Sequence, residues 1–275
     1  GRVYVSGARN GHAVRPALFL KSDVVIAGGT GDEKDPYTVS NYNAFRDDSW
    51  TTIADNVRSG NTSLYNIGDT KKIKVDGTSY TVRLANNSTP SECNGTDFSQ
   101  TACGIVVEFV DIIDKRTMGS NGYSWDNAEV RTYLNGNFLK KLPTEVQNLI
   151  IYTNTVSNAV GPGTISTSDR VYLLSPAEIF DGLTGSDADK TRQLDYYKKL
   201  GVTTTSYEKA VKKYNGTNSP WWLRSYYHRD SYTLLSNPIL AMPSSSSFYY
   251  VTSSGNYDYA DEENTYGISP AFRIG

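Results

Sequence analysis

The stretch Pro220-Trp221-Trp222-Leu223-Arg224-Ser225 marks the point at which the composition of the chain changes. Adjacent tryptophans followed by leucine are typical of a buried strand, so we expect this stretch to lie in the core, with Arg224 as a partly buried structural ion-pair donor. Residues 226–264 follow it and are dominated by Tyr, Ser, Asp and Asn, with neither Lys nor Gln among them. Residues 267–274, which read GISPAFRI, again have the character of framework. The sequence therefore indicates a scaffold that carries a segment of unusual composition.

The composition of residues 226–264 is the one that antibody combining sites use. Tyr provides a large amphipathic contact area at a low cost in entropy, and Ser, Gly and Asn provide adaptable hydrogen bonds. We therefore predict that residues 226–232, 244–250 and 256–264 lie on one face and contact a ligand. The predicted ligand-binding residues are Tyr226, Tyr227, His228, Arg229, Asp230, Tyr232, Tyr249, Tyr250, Asn256, Tyr257, Asp258, Tyr259 and Asp261. The alternative is a set of ordinary strands and surface loops, because Tyr is also frequent in strands.

The bulk properties exclude several classes of partner. A chain of 275 residues holds one large domain, or one domain and an appendage. A formal net charge of -2 gives no electrostatic footprint for nucleic acid. No apolar run approaches the roughly 20 residues that a membrane-spanning helix needs, so we predict no membrane insertion.

Few residues are suited to catalysis or to binding a cofactor. The chain has two histidines, His12 and His228, and no Gly-x-Ser-x-Gly motif or Cys/His cluster with zinc-ligand spacing. The glycine-rich loop at residues 28–31 lacks the Gly-Lys-Ser/Thr ending that would hold a phosphate. We predict that the protein is not an enzyme and binds no cofactor and no metal.

Calcium is the alternative that stays open, because carboxylate oxygens are the ligands that this ion prefers. Two groups of acidic residues lie on predicted loops: Asp258, Asp261, Glu262 and Glu263, and Asp32, Glu33 and Asp35. Neither group has the spacing of an EF-hand, and a solvated acidic loop is the simpler interpretation.

The two cysteines, Cys93 and Cys103, flank a short polar loop that is rich in turn-forming residues. A disulfide that closes such a loop contributes about 2–3 kcal/mol and indicates an oxidising compartment. The alternative is a pair of free thiols in a reduced protein.

The secondary structure is predicted to be mixed. Alternating apolar residues on both sides of Asp76-Gly77 predict a hairpin over residues 73–84, and residues 105–113 read as a buried strand. Short strands are predicted at residues 24–26, 37–39 and 171–174. Apolar residues at helical spacing from Val130 to Leu139 predict a helix, and Pro143 suits the start of a second. We expect an α+β class with the helices early and an irregular antiparallel sheet late.

Two further helix signals lie in the second half of the chain. Ser175-Pro176-Ala177-Glu178 is a capping box with proline at the first helical position. Residues 191–200 are predicted to form a helix that ends at Gly201.

An internal echo sets the predicted domain boundaries. Residues 13–20 (AVRPALFL) repeat the pattern of residues 267–274 (GISPAFRI), which is the kind of similarity that repeated units leave. We therefore interpret residues 1–39 as the tail of a preceding repeat copy plus short strands, residues 40–63 as a connector, and residues 64–275 as the binding domain.

The framework resembles a family of bacterial domains of unknown function, which occurs, often in tandem, in surface proteins of gut bacteria and their phages. The motifs that carry this resemblance are YNIGD at residues 65–69, RLAN at 83–86, residues 104–113, RTYLN at 131–135, VYLLS at 171–175, RQLDYY at 192–197, WWLRS at 221–225 and GISPAFRI at 267–274. The part from residue 221 onward also resembles the variable proteins of diversity-generating retroelements. That resemblance implies a C-type-lectin-like fold, with helices packed on an irregular antiparallel sheet.

In those variable proteins the coding template is mutated at adenines, so asparagine codons ending in C yield Tyr, Ser, Asp, His or Arg but never Lys, Gln, Glu, Met or Trp. Residues 226–264 obey this rule except at Met242, Glu262 and Glu263. The resemblance thus implies a diversified binding surface.

We therefore expect a non-catalytic binding module, an adhesin or receptor-binding domain, located outside a bacterial cell or on a phage particle. Its partner would be a protein or glycan on another cell or host surface. The alternative is a structural repeat of a surface stalk or pilus-like fibre that assembles with neighbouring repeat domains, which the internal echo favours. An enzyme of the same fold class is the third hypothesis, against which the lack of a nucleophile or metal set argues.

Overall fold

The computed structural model describes residues 24–120, 124–159, 163–183, 189–227 and 247–275. The chain forms two compact units, Gly1–Asn43 and Ala44–Gly275. In the first unit, β1 (Val24–Gly28) and β2 (Thr38–Asn41) form an antiparallel hairpin, which confirms the two short strands predicted there. The internal echo at residues 13–20 lies outside the described residues.

The second unit contains two five-stranded sheets. The strands of the first sheet, in spatial order, are β3 (Thr70–Val75), β4 (Thr78–Asn86), β5 (Val106–Phe109), β16 (Ala271–Arg273) and β9 (Val171–Tyr172). The strands of the second sheet are β14 (Tyr257–Asp261), β13 (Ser247–Val251), β12 (Trp221–Tyr226), β15 (Tyr266–Ile268) and β6 (Asp114–Arg116). All neighbouring strands pair antiparallel except β12 and β15, which are parallel.

Two short connections pass from one sheet to the other and hold them together. β5 of the first sheet is followed at once by β6 of the second, and β15 of the second by β16 of the first. The backbone N–H of Phe109 donates to Pro270, and that of Ile113 donates to Ile268. The expected late sheet is present, since four of the five strands of the second sheet follow residue 220, but β6 comes from the middle of the chain and the last strand, β16, joins early strands in the first sheet.

Residues 44–58 are helical and part of the core, so the structure differs from the predicted connector over residues 40–63. The helices are α1 (Ala44–Asp47) and α2 (Trp50–Arg58), and Ser49 caps α2 by accepting a hydrogen bond from the N–H of Thr52. Trp50 and Ile53 are buried, and the Trp50 ring lies 6.4 Å from that of Phe272 on β16. These residues form a helix because their apolar side chains recur at helical spacing, so one face of α2 is buried against the first sheet.

The remaining helices agree with the sequence in kind and differ at their ends. α3 (Glu129–Tyr133) continues through a π-helical turn (Leu134–Phe138) and a 3-10 turn (Leu139–Lys141), and α4 (Thr144–Leu149) follows Pro143. α5 (Pro176–Ile179) begins with the predicted capping box. α6 (Asp195–Leu200) ends at Gly201 in the left-handed conformation but begins later than residue 191.

The second unit contains three further hairpins, of which the sequence predicts the one between β3 and β4. The turn between β3 and β4 places both Asp76 and Gly77 at positive φ, as an Asp-Gly hairpin requires. β7 (Thr153–Asn158) pairs with β8 (Thr164–Asp169), and β10 (Lys212–Tyr214) pairs with β11 (Thr217–Ser219). The fold is therefore α+β, with helices packed on largely antiparallel sheets.

Candidate functional site

Strand β12 forms the floor of the candidate site and is entirely buried. Trp221, Trp222 and Leu223 have no exposed surface, which confirms their predicted place in the core. Arg224 is also buried, and its Nη1 donates to Glu178 Oε2 at 2.5 Å and to the carbonyl of Leu173 at 3.0 Å. The same carboxylate oxygen accepts from the backbone of the α5 capping box. Arg224 is thus an ion-pair donor as the sequence predicts, but it is fully rather than partly buried, and it ties β12 to α5.

A second buried polar contact holds β12, between Ser225 and Asp189. Ser225 donates to Asp189 Oδ2 at 2.6 Å, and the N–H of Asn158 donates to Oδ1 of the same carboxylate at 2.8 Å. Burial raises the pKa of Asp189 to about 6, although Arg224 and these hydrogen bonds act in the opposite direction. The end of β12 is therefore held by polar contacts that leave little freedom to shift.

The described part of the predicted ligand-binding segment folds as a hairpin at the edge of the second sheet. β13 pairs with β14 in regular register, so Tyr249 faces Tyr259 and Tyr250 faces Asp258 across the ladder. Because side chains alternate along a strand, Tyr249 and Tyr250 lie on opposite sides of the hairpin. The segments 226–227, 247–250 and 256–264 are brought together as predicted, but their side chains divide between two sides rather than sharing one face.

One side of the hairpin carries four tyrosines in mutual contact, which we name the stacked-tyrosine cluster: Tyr227, Tyr249, Tyr257 and Tyr259. The rings of Tyr227 and Tyr259 are parallel within 2°, with centroids 3.8 Å apart, and Tyr227 meets Tyr249 edge-on at 5.3 Å. Tyr257 packs at 5.2 Å on the buried ring of Phe180, which follows α5. Tyr259 is the outermost ring and is 43% exposed.

Two tyrosines predicted as exposed contacts are buried. Tyr249 is 2% exposed and Tyr226 is 6% exposed. Tyr249 lies beneath the Tyr227 ring, and Tyr226 packs against Phe248 with ring centroids 6.3 Å apart. The prediction that these two residues supply surface anchors was therefore wrong, and their rings support the residues above them.

The other side of the hairpin begins a line of side chains that crosses the whole second sheet, which we name the cross-sheet row: Asp258, Tyr250, Trp222, Tyr266 and Arg116. Each member lies on the next strand of the sheet. The Tyr250 ring is 4.5 Å from that of Tyr266, which is 4.7 Å from that of Trp222. Tyr250 donates to Asp258 at 3.5 Å, and burial followed by the charge of Asp258 raises the pKa of Tyr250 to about 12. Sequence reasoning missed Tyr266 and Arg116, because strand pairing alone places them here.

The remaining predicted site residues lie on β14, in the hairpin turn before it, or outside the described residues. His228, Arg229, Asp230 and Tyr232 lie outside the described residues. Asp258 and Asp261 are exposed on β14, and Asn256 is half-buried, with its carbonyl accepting from the N–H of Thr252 in the hairpin turn. Ser247 donates to Asp261 across the ladder at 3.3 Å.

The acidic residues considered for calcium do not converge in the described chain. Glu262 is buried while Glu263 is exposed. Across the ranges that the structure describes, no three His, Cys, Asp or Glu side chains are grouped as metal ligands. The cysteines form the predicted disulfide between Cys93 and Cys103.

The geometry defines an α+β domain with an aromatic hairpin at a sheet edge. Residues 105–275 match a family described as a domain of unknown function, DUF6273. This match covers more than half of the chain, so the protein belongs to that family. Searches of curated proteins and of solved structures give no match. Among the helices of the described residues, none has the length and apolar character needed to cross a membrane.

Proposed function

We propose that this protein is a non-catalytic ligand-binding module, an adhesin or receptor-binding domain, whose C-terminal hairpin contacts the ligand. The observation that carries the proposal is the stacked-tyrosine cluster. Its outermost ring, Tyr259, is 43% exposed, yet it is held parallel to Tyr227 at 3.8 Å. An exposed ring that is already ordered loses little entropy when a partner covers it, which is how tyrosine-rich combining sites gain affinity.

The rings beneath Tyr227 and Tyr259 support this function because they are packed against one another. Tyr249 and Tyr257 back the outer pair, and Tyr257 rests on Phe180. Recognition surfaces bind well when their contact residues are locked by buried neighbours. Substitutions at the outer positions would therefore change the surface and leave the buried framework of β12 in place.

We further propose a C-type-lectin-like fold for residues 64–275 and a diversified C-terminal segment. The α+β architecture is compatible with that fold, and the restricted amino-acid alphabet of residues 226–264 supports diversification. An extracellular location, on a bacterial surface or a phage particle, fits the disulfide between Cys93 and Cys103. Sequencing the surrounding locus tests the diversification proposal, which requires a reverse transcriptase gene and an imperfect template repeat nearby.

The binding proposal is tested with one exposed tyrosine inside the hairpin and one outside it. Purified protein is first screened on arrays of glycans and surface proteins, and the strongest hit is titrated. Tyr259→Ala is expected to weaken that binding at least tenfold, which corresponds to about 1.4 kcal/mol, with little change in Tm.

The matched control is Tyr152→Ala, since Tyr152 is 70% exposed and lies between α4 and β7. This variant is expected to bind like the original protein. If Tyr259→Ala binds normally, or if both variants weaken binding equally, the hairpin is not the binding surface.

A further inference from the structure

A cleft lies beside the second sheet, between its edge strand β6 and the helical segment formed by α3 and the π-helical turn. Its volume is about 580 Å³, within the range of small-molecule sites. Lys115, Arg116 and Thr117 line one wall, and Thr132, Tyr133 and Asn137 line the other. None of these residues belongs to the predicted ligand-binding set or to the stacked-tyrosine cluster, although Arg116 is also the last member of the cross-sheet row.

Arg116 is fixed in this cleft with part of its guanidinium group available. The guanidinium carbon lies 3.4 Å from the centre of the Tyr133 ring, and Nε donates to Asp114 Oδ2 at 3.0 Å. Within the described residues neither Nη group donates to another protein atom, and the side chain is 37% exposed. A guanidinium held by stacking and by its Nε presents its two Nη groups as a rigid fork, the geometry that binds a carboxylate through two parallel hydrogen bonds.

The rest of the lining is polar and uncommitted. Thr117, Thr132 and Asn137 make no side-chain hydrogen bond to any part of the chain that the structure describes, and Thr265 adds another hydroxyl at the rim. Gly136 lies in the wall, and a Cβ added there would meet no atom within 4 Å. The cleft thus places several hydroxyl and amide groups within the same space as the arginine fork.

Two cations, Lys115 and Arg116, and two carboxylates, Asp114 and Glu129, lie around the cleft, so its net charge is close to zero. The positions of its hydrogen-bonding groups would therefore decide which ligand binds. Lys115 extends over the ring of Tyr214 at 4.9 Å, and Asp114 is committed to Arg116. Glu129, on the opposite wall, accepts from the N–H and the hydroxyl of Ser120. A ligand therefore gains from matching the fork and the hydroxyl groups together rather than from negative charge alone.

We propose that this cleft binds a sugar acid. The carboxylate of the sugar accepts hydrogen bonds from the Arg116 fork, and its ring hydroxyls pair with Thr117, Thr132 and Asn137. The volume of about 580 Å³ suits one or two sugar rings, and the hydroxyl and amide groups of the lining match ring hydroxyls.

The proposal is tested by calorimetric titration of the whole protein with sodium glucuronate and sodium N-acetylneuraminate. At least one of the two is expected to bind at least tenfold more tightly than D-glucose, which lacks the carboxylate, or sodium acetate, which lacks the hydroxyls. Absence of binding by both sugar acids overturns the proposal. So does equally tight binding of N-acetylglutamate, since that outcome assigns the cleft to acidic peptides.

Two variants locate the binding in the cleft. Arg116→Lys keeps the charge but loses the fork, and it is expected to weaken sugar-acid binding at least tenfold while Arg58→Lys, an exposed side chain at the C-terminal end of α2, leaves it unchanged. Gly136→Leu fills the cleft from its opposite wall without touching Arg116 and is expected to abolish binding. Normal binding by either cleft variant, with a native Tm, refutes the assignment. If one variant fails to fold, the other still decides.

Discussion

Glu108 is a fully buried carboxylate that pairs with two cations from other parts of the domain. It has no exposed surface, and it accepts from Arg83 Nε at 2.7 Å, Lys212 Nζ at 2.6 Å and the hydroxyl of Tyr197 at 2.9 Å. These partners come from β4, β10 and α6, so one carboxylate joins three elements to β5. We predict that Glu108→Gln lowers the free energy of unfolding at pH 7 by about 3–5 kcal/mol, because it leaves two buried cations without their counter-ion.

The size of the effect follows from the titration of the carboxyl group. Burial alone would raise the pKa of Glu108, but the Arg83 guanidinium and the Lys212 ammonium lower it from 4.5 to about 2. Each unit corresponds to about 1.4 kcal/mol, so ionisation of this carboxyl contributes about 3 kcal/mol to folding. Because the folded pKa is the lower one, this stability is fully present above pH 4.5 and is lost as the pH falls towards 2.

Urea denaturation at a series of pH values between 2 and 7 measures both effects. The original protein should lose stability steeply below pH 4.5, and Glu108→Gln should start lower and lose less over the same interval. Asp55→Asn is the control, since Asp55 is an exposed carboxylate paired with Arg58, and its loss should cost at most about 1 kcal/mol. If Glu108→Gln costs no more than this control at pH 7, the carboxylate does not hold these elements together.

Two further predictions concern the floor of the candidate site. Tyr249→Ala should lower the free energy of unfolding by about 3 kcal/mol in urea denaturation, since the ring is 2% exposed, whereas a loss as small as that of an exposed tyrosine would contradict its place in the core. Asp189→Asn should raise Tm more at pH 7 than at pH 4. The folded pKa of Asp189 is raised to about 6, so its ionisation destabilises the protein as the pH rises from 3.8 to 6; an equal change in Tm at both pH values would show that the carboxyl titrates normally.

Features with a local signal in the sequence could be predicted. The Asp76-Gly77 turn, the capping box at Ser175 and the left-handed end of α6 at Gly201 each depend on residues within a few positions of one another. Trp221 and Trp222 could be assigned to the core because no other position suits two adjacent tryptophans so well.

Helix α2 carries a local signal that the overall composition of residues 40–63 conceals. Trp50, Ile53, Ala54 and Val57 follow Ser49 at helical spacing, and the first three are buried. The polar residues between them hide this pattern when only the overall composition of residues 40–63 is read. A short amphipathic helix with a serine cap therefore looks like a connector unless its apolar period is counted.

The composition of the sequence indicates which segment forms the candidate site, but it does not show how the side chains of that segment are arranged. Tyr249 and Tyr250 are neighbours of the same type, yet one is buried and the other half-exposed on the opposite side of β13. Tyr249 packs against Tyr227 and Tyr250 against Trp222, and both of these partners come from β12 or the residue after it, more than 20 positions away in the sequence. The pairing of β6 with β15, which brings Arg116 beside Tyr266, joins segments separated by most of the domain. The local pattern of a single sequence does not show which distant strands pair with each other.

The family match begins at residue 105, but the physical domain begins earlier. Arg83 on β4 is a partner of Glu108, and β4 supplies the strand next to β5. Trp50 packs on the last strand, near the C-terminal end of the matched region. Residues 105–275 alone would therefore expose one edge of the first sheet and leave Glu108 with only Lys212 as a cation. Because β6 directly follows β5 in the chain, destabilising β5 in the first sheet would also displace β6 in the second sheet, and β6 carries Arg116. The β3–β4 hairpin and the helices α1 and α2 lie outside the matched region. They are nevertheless needed to hold the second sheet, on which we propose that ligands bind.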